Sequence, residues 1–172
     1  MQEIQIALRI VHILAGVAWV GIVGFFIVFL VPTATALGGQ AAPVMVHLNK
    51  KLHLNVVIPI VAILNISAGL ILYWRASRGL ELDWITSPSG LGFTVGGVSA
   101  ITAFAIGGTV VRHAADRMGD IGEAVLAAGR PPTPEEGAEM GIHLGKLRVW
   151  GRVVFGLLVL TVIAMASSQL LF

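Results

Sequence analysis

Long apolar runs without charged residues divide the chain into four segments. Asp, Glu, Lys and Arg are all absent from residues 10–31, 52–74, 91–111 and 153–172. An α-helix rises about 1.5 Å per residue, so each run of about 20 residues can cross a hydrocarbon core about 30 Å thick. The runs also lack the period-two alternation of barrel strands. The pattern predicts an all-α, four-helix transmembrane bundle with up-down-up-down topology, forming a single domain over residues 1–172.

The composition supports a membrane protein over a soluble one. Hydrophobic residues make up 56% of the chain and charged residues 12%, whereas soluble domains carry about 25% charged residues. The first apolar run exceeds the about 7 to 15 residues of a signal-peptide core, and Glu3 and a single arginine precede it. We therefore expect this run to remain in the mature protein. The absence of cysteine excludes disulfides and thiolate-held metal centres within this chain.

Positive charges are distributed unevenly between the two ends of such a bundle. One end would carry Arg9, Arg75 and Arg78. The other would carry Lys50, Lys51, Arg112, Arg117, Arg130, Lys146, Arg148 and Arg152. The positive-inside rule places the more basic end in the cytoplasm and both termini outside. The basic residues are then interpreted as facing the lipid bilayer, and no nucleic-acid partner is predicted.

The link between the third and fourth runs carries helix signals beyond the membrane. Residues 112–128 stay compatible with a helix, and Gly129 with the prolines after it is a typical helix stop. Thr133, Pro134 and Glu136 then have the spacing of a capping box that starts a new helix. Helices three and four are thus predicted to extend into a cytoplasmic hairpin. We expect its acidic residues to face basic ones across the hairpin, Asp116, Asp120 and Glu123 opposite Lys146 and Arg148.

His12 is the histidine placed deepest in a predicted span, about one turn inside helix one. An imidazole in lipid needs a partner. A haem held there would need Met165 or a second subunit for its other axial ligand, because no other histidine lies at that level. Gly16, one turn further on, would leave room for a bulky neighbour. The alternative is a structural histidine that is hydrogen-bonded to a backbone carbonyl or to Ser168.

Three more histidines lie near the inner boundary: His53 at the start of helix two, His113 at the end of helix three and His143 before helix four. Two imidazoles on facing helices would suit bis-histidine ligation of haem b. Histidine with a nearby thioether would suit Cu(I), and the candidates are Met45, Met118 and Met140. The alternative is that these histidines are ordinary residues of the membrane–water interface.

No motif of a soluble enzyme occurs in the chain: it has no phosphate-binding glycine loop, HExxH zinc helix or GxSxG elbow. Small residues recur at every fourth position of helix three, at Gly92, Gly96 and Ala100. Such a row permits close helix approach, within the chain or in a homodimer or larger complex, or leaves room for a flat cofactor. The sequence thus leaves enzymatic activity undecided.

The segment from Leu8 to Gly21, LRIVHILAGVAWVG, resembles the first helix of the CopD-like group of bacterial membrane proteins and of the HemJ-like protoporphyrinogen oxidases. Its most specific element is His12 followed seven residues later by Trp19. The layout of the chain, including the hinge at 129–136 and the basic segment 146–152, is similar to uncharacterised members. The resemblance implies a haem or copper role for His12, with His113 near the position of a HemJ-like histidine, and a location in the bacterial cytoplasmic (inner) membrane. It does not imply the oxidase activity, because further basic and histidine positions are missing.

The leading hypothesis from the sequence is a membrane protein with a haem b- or copper-associated role in redox chemistry or metal handling. The predicted cofactor-binding residues are His12, His53 and His113, and the predicted metal ligands are His12, His143 and Met165. The alternative hypothesis is a cofactor-free accessory or scaffold subunit of a membrane complex, for which the small-residue row is the support.

Overall fold

A computed structural model describes residues 2–168 of the chain. Every regular element in this part is helical, and the elements are α1 (Gln2–Lys51), α2 (Leu54–Ala76), the short α3 (Leu82–Ile85), α4 (Pro88–Ala128) and α5 (Pro134–Ser167). The four long helices are long and apolar enough to cross a membrane. They contact one another, which confirms the predicted all-α bundle. The end of the predicted fourth span, residues 169–172, lies outside the described residues.

The four long helices form two closely packed pairs, α1 with α2 and α4 with α5. On α1 and α2, Gly16 meets Asn65 and His12 meets Gly69, so the two helices are antiparallel. On α4 and α5, Gly92 meets Ala164 and Gly96 meets Thr161, which shows the same direction reversal. Trp19 is only 3% exposed and joins the pairs at the centre, packed with Ala62, Ala100, Ala103, Val154 and Leu158. Its ring meets Phe104 edge-on, with centroids 6.4 Å apart.

Helix α1 extends well beyond the predicted run at both ends. It begins at Gln2 and widens into a π-helical turn at Phe26–Leu30. Pro32 follows this turn after Val31. Proline has no amide hydrogen, and its ring crowds the carbonyl group of the preceding turn. At Gly38 the backbone takes a φ of 56° and the chain changes direction. We call the following segment, residues 38–51, the arm. Its helical structure was not predicted.

The arm packs against the inner half of α4. A Cβ placed on Gly122 would lie 3.6 Å from Val46 Cγ2, so these backbones approach closely. Lys50 Nζ reaches Asp120 Oδ1 at 3.1 Å and Glu123 Oε2 at 3.3 Å, and these hydrogen bonds raise the pKa of Lys50. The prediction that Asp120 and Glu123 face Lys146 and Arg148 is therefore wrong. Arg117 and Glu139 instead join α4 to α5, with Nε 3.0 Å from Oε1.

The predicted helix stop and start between α4 and α5 are confirmed. Helix α4 ends at Ala128, and Gly129 follows with a left-handed φ of 60°. Helix α5 starts at Pro134, and Thr133 and Glu136 form the reciprocal capping box. Arg130 adds a two-pronged ion pair to Glu136, with nitrogen–oxygen distances of 2.7 and 2.9 Å.

We expect the start of α5 to loosen under acid. The Arg130 guanidinium, helped by the Thr133 backbone N–H, lowers the pKa of Glu136 from 4.5 to about 2. Because the folded pKa is lowered, the stabilisation is present above pH 4.5 and is lost as the pH falls towards 2. The protection factors of the first-turn amides of α5, which correct hydrogen exchange for its intrinsic pH dependence, should therefore fall over this window.

The Glu136→Gln variant provides the control for this acid response. Glutamine keeps the capping hydrogen bond, but it loses the ion pair with Arg130 and cannot titrate. The first-turn amides of this variant should therefore be less protected already at neutral pH, and their protection should change little with acid. Glu135→Gln, one position earlier and outside the box, should behave as the parent protein does. An unchanged acid response in Glu136→Gln would contradict the assignment.

Candidate functional site

His12 is bound to α2 by two hydrogen bonds with Asn65. His12 Nδ1 lies 2.9 Å from the backbone oxygen of Asn65, and Asn65 Nδ2 donates to the backbone oxygen of His12 at 2.7 Å. His12 Nδ1 also lies 3.2 Å from the Asn65 Nδ2 donor, so the contact with the carbonyl oxygen is a hydrogen bond only in the tautomer that carries the hydrogen on Nδ1. In this tautomer the Nε2 atom of a neutral His12 ring keeps its lone pair. The hydrogen-bond partner of His12 is thus a backbone carbonyl, which was one of the two partners considered from the sequence. The other, Ser168, is not its partner.

Two glycines make this close approach of α1 and α2 feasible. A Cβ on Gly69 would lie 2.8 Å from His12 Cε1, and a Cβ on Gly16 would lie 2.8 Å from Asn65 Nδ2. Each glycine therefore seats the polar side chain of the opposite helix. The side chain that lies against Gly16 is that of Asn65.

Met165 lies in the other helix pair. Its Cγ atom would be 2.8 Å from a Cβ on Gly96, so its side chain packs onto α4, while His12 packs onto α2. No hydrogen bond joins His12 to Met165 in the described part of the chain.

The inner histidines separate into one pair and one single residue. His113 on α4 and His143 on α5 face each other, with ring centroids 5.8 Å apart and planes inclined by 64°. His53 instead connects the arm to α2 in a left-handed conformation, with a φ of 52°, which histidine adopts more readily than most residues. His53 is exposed, and no hydrogen bond or ring contact in the described part joins it to the pair.

His143 is buried at 7% exposure, and its Nδ1 atom has no hydrogen-bond partner within residues 2–168. Its Nε2 atom lies 3.7 Å from Glu139 Oε1. Glu139 is held mainly by Arg117, which lowers the pKa of this carboxyl group. No cluster of three or more His, Cys, Asp or Glu side chains suited to a metal occurs over the same residues. The pair supplies two imidazoles but no third ligand of these types.

A large apolar cavity opens inside the end of the bundle where the arm and the α4–α5 link lie. Its volume is about 490 Å³, and all four long helices contribute to its walls. Trp19 and Phe104 line it towards the centre of the bundle, and Asn55, Arg112 and Asp116 are among its few polar residues. Ligand pockets in proteins commonly hold about 300 to 1,000 Å³. The cavity is therefore large enough for a small organic molecule.

The sequence analysis did not predict this cavity, although two groups of residues that line it, methionines and glycines, stand out in the sequence. Met45, Met118 and Met140, separated widely in the chain, all line it. So do several glycines of α4, and Gly119 is buried with no atom within 4 Å of where its Cβ would be. A buried glycine without a neighbour faces empty space. Neither group of residues indicates a cavity until the arm is known to fold against α4.

A second recess of about 400 Å³ lies on the outside of α1, beside the cavity. Arg148 and Arg152, one turn apart on α5, form its polar side. Ile27, Val31 and Thr35 line both the recess and the cavity, so the two spaces are neighbours along α1. Neither arginine forms an ion pair with a carboxylate in the part of the chain that the structure describes.

No family model matches the chain, and searches of curated proteins and of solved structures likewise find no match. The resemblance of residues 8–21 to CopD-like and HemJ-like proteins therefore rests on the sequence features alone.

Proposed function

We propose that this chain is a multi-pass membrane protein that holds haem b or a copper ion through His12 and serves redox chemistry or metal handling. The supporting observation is the 2.9 Å contact between His12 Nδ1 and the Asn65 carbonyl oxygen. Metal-ligating histidines usually donate their second ring N–H to a carbonyl or carboxylate, which fixes the tautomer and aims the free nitrogen. His12 meets this condition, and Gly69 fixes the position of its ring.

The residues that would complete the site at His12 differ between haem b and copper. Bound haem b would supply one-electron chemistry. Because Met165 packs on the other helix pair, a second ligand to haem b held by His12 would come from a second copy of the chain. Copper(I) favours thioethers, but the three methionines of the inner cavity lie at the end of the bundle away from His12, so they would serve only a copper ion bound at that end. The pair His113 and His143 lies at the same end of the bundle and is the second candidate position for a metal.

The cofactor proposal has a direct spectroscopic test. Protein purified from cells supplied with haem precursor and copper should show a Soret band, or copper by elemental analysis. His12→Ala should remove the band or at least half of the bound copper. His47→Ala, which changes a histidine of the arm, should leave both unchanged.

Folding must be monitored in the same samples, because His12 also joins two helices. A His12→Ala protein that elutes as a single species and keeps its helical circular dichroism, yet shows the parental Soret band and copper content, would remove His12 from the site. A parent protein with neither haem nor copper would favour the cofactor-free scaffold. The row Gly92, Gly96 and Ala100 supports that alternative weakly, because α5 of the same chain already covers it.

We further propose that the end of the bundle with the arm and the α4–α5 hairpin is cytoplasmic, with up-down-up-down spans and both termini outside. The support is the distribution of three basic residues at one end and eight at the other. The ion pairs of Lys50 and Arg117 lie at this end, as expected for a segment in contact with water.

This orientation predicts the behaviour of reporters fused to the chain. A reporter active only in the cytoplasm should be silent after residue 172 and active when inserted at Gly129, the exposed turn between α4 and α5. A periplasmic reporter should give the reverse pattern. Cytoplasmic activity at the C-terminus would reverse the proposed topology.

A further inference from the structure

We propose that the inner cavity and the arginine recess together bind one anionic phospholipid, with an acyl chain in the cavity and the phosphate at Arg148 and Arg152. This proposal goes beyond the haem or copper role and does not depend on it. It rests on the apolar lining of one space, the two arginines of the other and the residues that the two spaces share.

The cavity suits a hydrocarbon chain because its walls offer very few polar groups. Its lining is dominated by aliphatic, aromatic and methionine side chains and by glycine. Methionine is flexible and polarizable, so it adapts to a chain without a fixed shape. Gly119 is buried and faces open space, which leaves a smooth wall at that point. An apolar cavity of about 490 Å³ offers dispersion contacts along the length of an acyl chain.

The recess suits a phosphate because it brings two guanidinium groups together at the edge of the bundle. Arg148 and Arg152 are exposed, lie one turn apart, and have no carboxylate partner in the described part of the chain. Arginine binds phosphate oxygens through paired N–H donors. Thr35 lines the α1 side, but its hydroxyl donates to the Val31 backbone oxygen at 2.8 Å, so the two arginines are the donors available to a phosphate.

The two spaces lie next to each other, which favours a single ligand over two. Ile27, Val31 and Thr35 contribute to the walls of both. Because Ile27 is packed onto Gly151 of α5, a molecule with its phosphate at the arginines would reach the cavity along α1 past Val31 and Thr35. Both arginines lie at the end of the bundle proposed as cytoplasmic, where anionic lipid headgroups would complement their positive charge.

Native mass spectrometry of the detergent-solubilised protein with added phosphatidylglycerol or phosphatidylcholine tests this proposal. We expect one phosphatidylglycerol per chain to be retained in preference to phosphatidylcholine. Arg148→Gln with Arg152→Gln should weaken its retention by about fivefold per arginine, because each basic residue near a membrane surface contributes about 1 kcal/mol. Arg9→Gln with Arg75→Gln, at the opposite end, should leave retention unchanged.

The cavity is tested separately by filling it. Gly119→Leu should abolish preferential retention while the protein stays folded, because a Cβ there meets no atom within 4 Å. Gly156→Leu is the matched control, since it also meets no atom and does not line the cavity. Equal retention of both lipids, full retention in folded Gly119→Leu or in the double arginine variant, or displacement by inorganic phosphate alone would each overturn the proposal.

Discussion

A Gly92→Leu variant should lose about 3 kcal/mol or more of its free energy of unfolding, as expected for overpacking at a site with no room to relax. A Cβ at Gly92 would overlap Ser168 Oγ and lie 3.1 Å from the backbone oxygen of Ala164. The added side chain would therefore push α4 away from α5 along the most extensive helix–helix contact of the molecule. Denaturant unfolding in detergent micelles, followed by circular dichroism, measures the loss.

The surroundings of Gly92 cannot give way easily, which is why the expected effect is large. Ser168 is fully buried, and its backbone oxygen accepts a hydrogen bond from Ser89 Oγ at 2.9 Å. Its own hydroxyl donates to the Ala164 oxygen at 2.6 Å. Moving α5 would break the Ser89–Ser168 hydrogen bond between the start of α4 and the end of α5.

Gly97→Leu provides the matched control on the same helix. A Cβ at Gly97 meets nothing within 4 Å, so leucine there should be neutral or stabilising by up to about 1 kcal/mol through helix propensity. Equal destabilisation by both substitutions would mean that the loss does not come from the α4–α5 contact.

The features that the sequence predicted well are those with a local cause. The charge-free runs identified four helices, because lipid excludes unpaired charge wherever a helix crosses it. Gly129 and the box from Thr133 to Glu136 marked the end of α4 and the start of α5, because caps depend on residues within one turn. The limits of the runs did not give the limits of the helices. An apolar run records where a helix can meet lipid, and α1 continues in hydrogen-bonded form from Gln2 to Lys51.

The features that the sequence missed depend on contacts between distant residues. The arm carries Pro43 and two neighbouring glycines, which locally favour a loop over a helix. It is helical where it packs against α4, and that packing also brings Lys50 to Asp120. The ion-pair prediction considered only the α4–α5 hairpin and therefore chose the wrong partner. The cavity was missed for the same reason, since three separate segments supply its methionines.

The candidate site was predicted in part. His12 was singled out because a polar ring within an apolar run needs a partner, and Asn65 supplies one. The pairing could not be derived from spacing, because the register between α1 and α2 is set by how Gly16 and Gly69 fit the opposite helix. His113 and His143 were expected at similar heights on facing helices, and their rings do meet. His53 was grouped with them by depth alone, and its position at the turn before α2 separates it.

A Gly69→Leu variant should displace the His12 ring and destabilise the α1–α2 pair by about 1 to 3 kcal/mol, the usual range for overpacking. A Cβ at Gly69 would lie 2.8 Å from His12 Cε1 and 3.1 Å from Nδ1. The ring cannot move aside without breaking the contact between Nδ1 and the Asn65 oxygen. If His12 holds haem b, the Soret band should shift or disappear in protein that remains folded.

A double-mutant cycle separates this local clash from a general weakening of α2. In a His12→Ala background the space occupied by the ring is free, so Gly69→Leu should cost at least about 1 kcal/mol less than it does in the parent. Gly21→Leu, on α1 where a Cβ meets no atom within 4 Å, should be near neutral in both backgrounds. If Gly69→Leu cost the same with and without the imidazole, Gly69 would not be the seat of His12, and the positioning of Nε2 as a metal ligand would lose its structural basis.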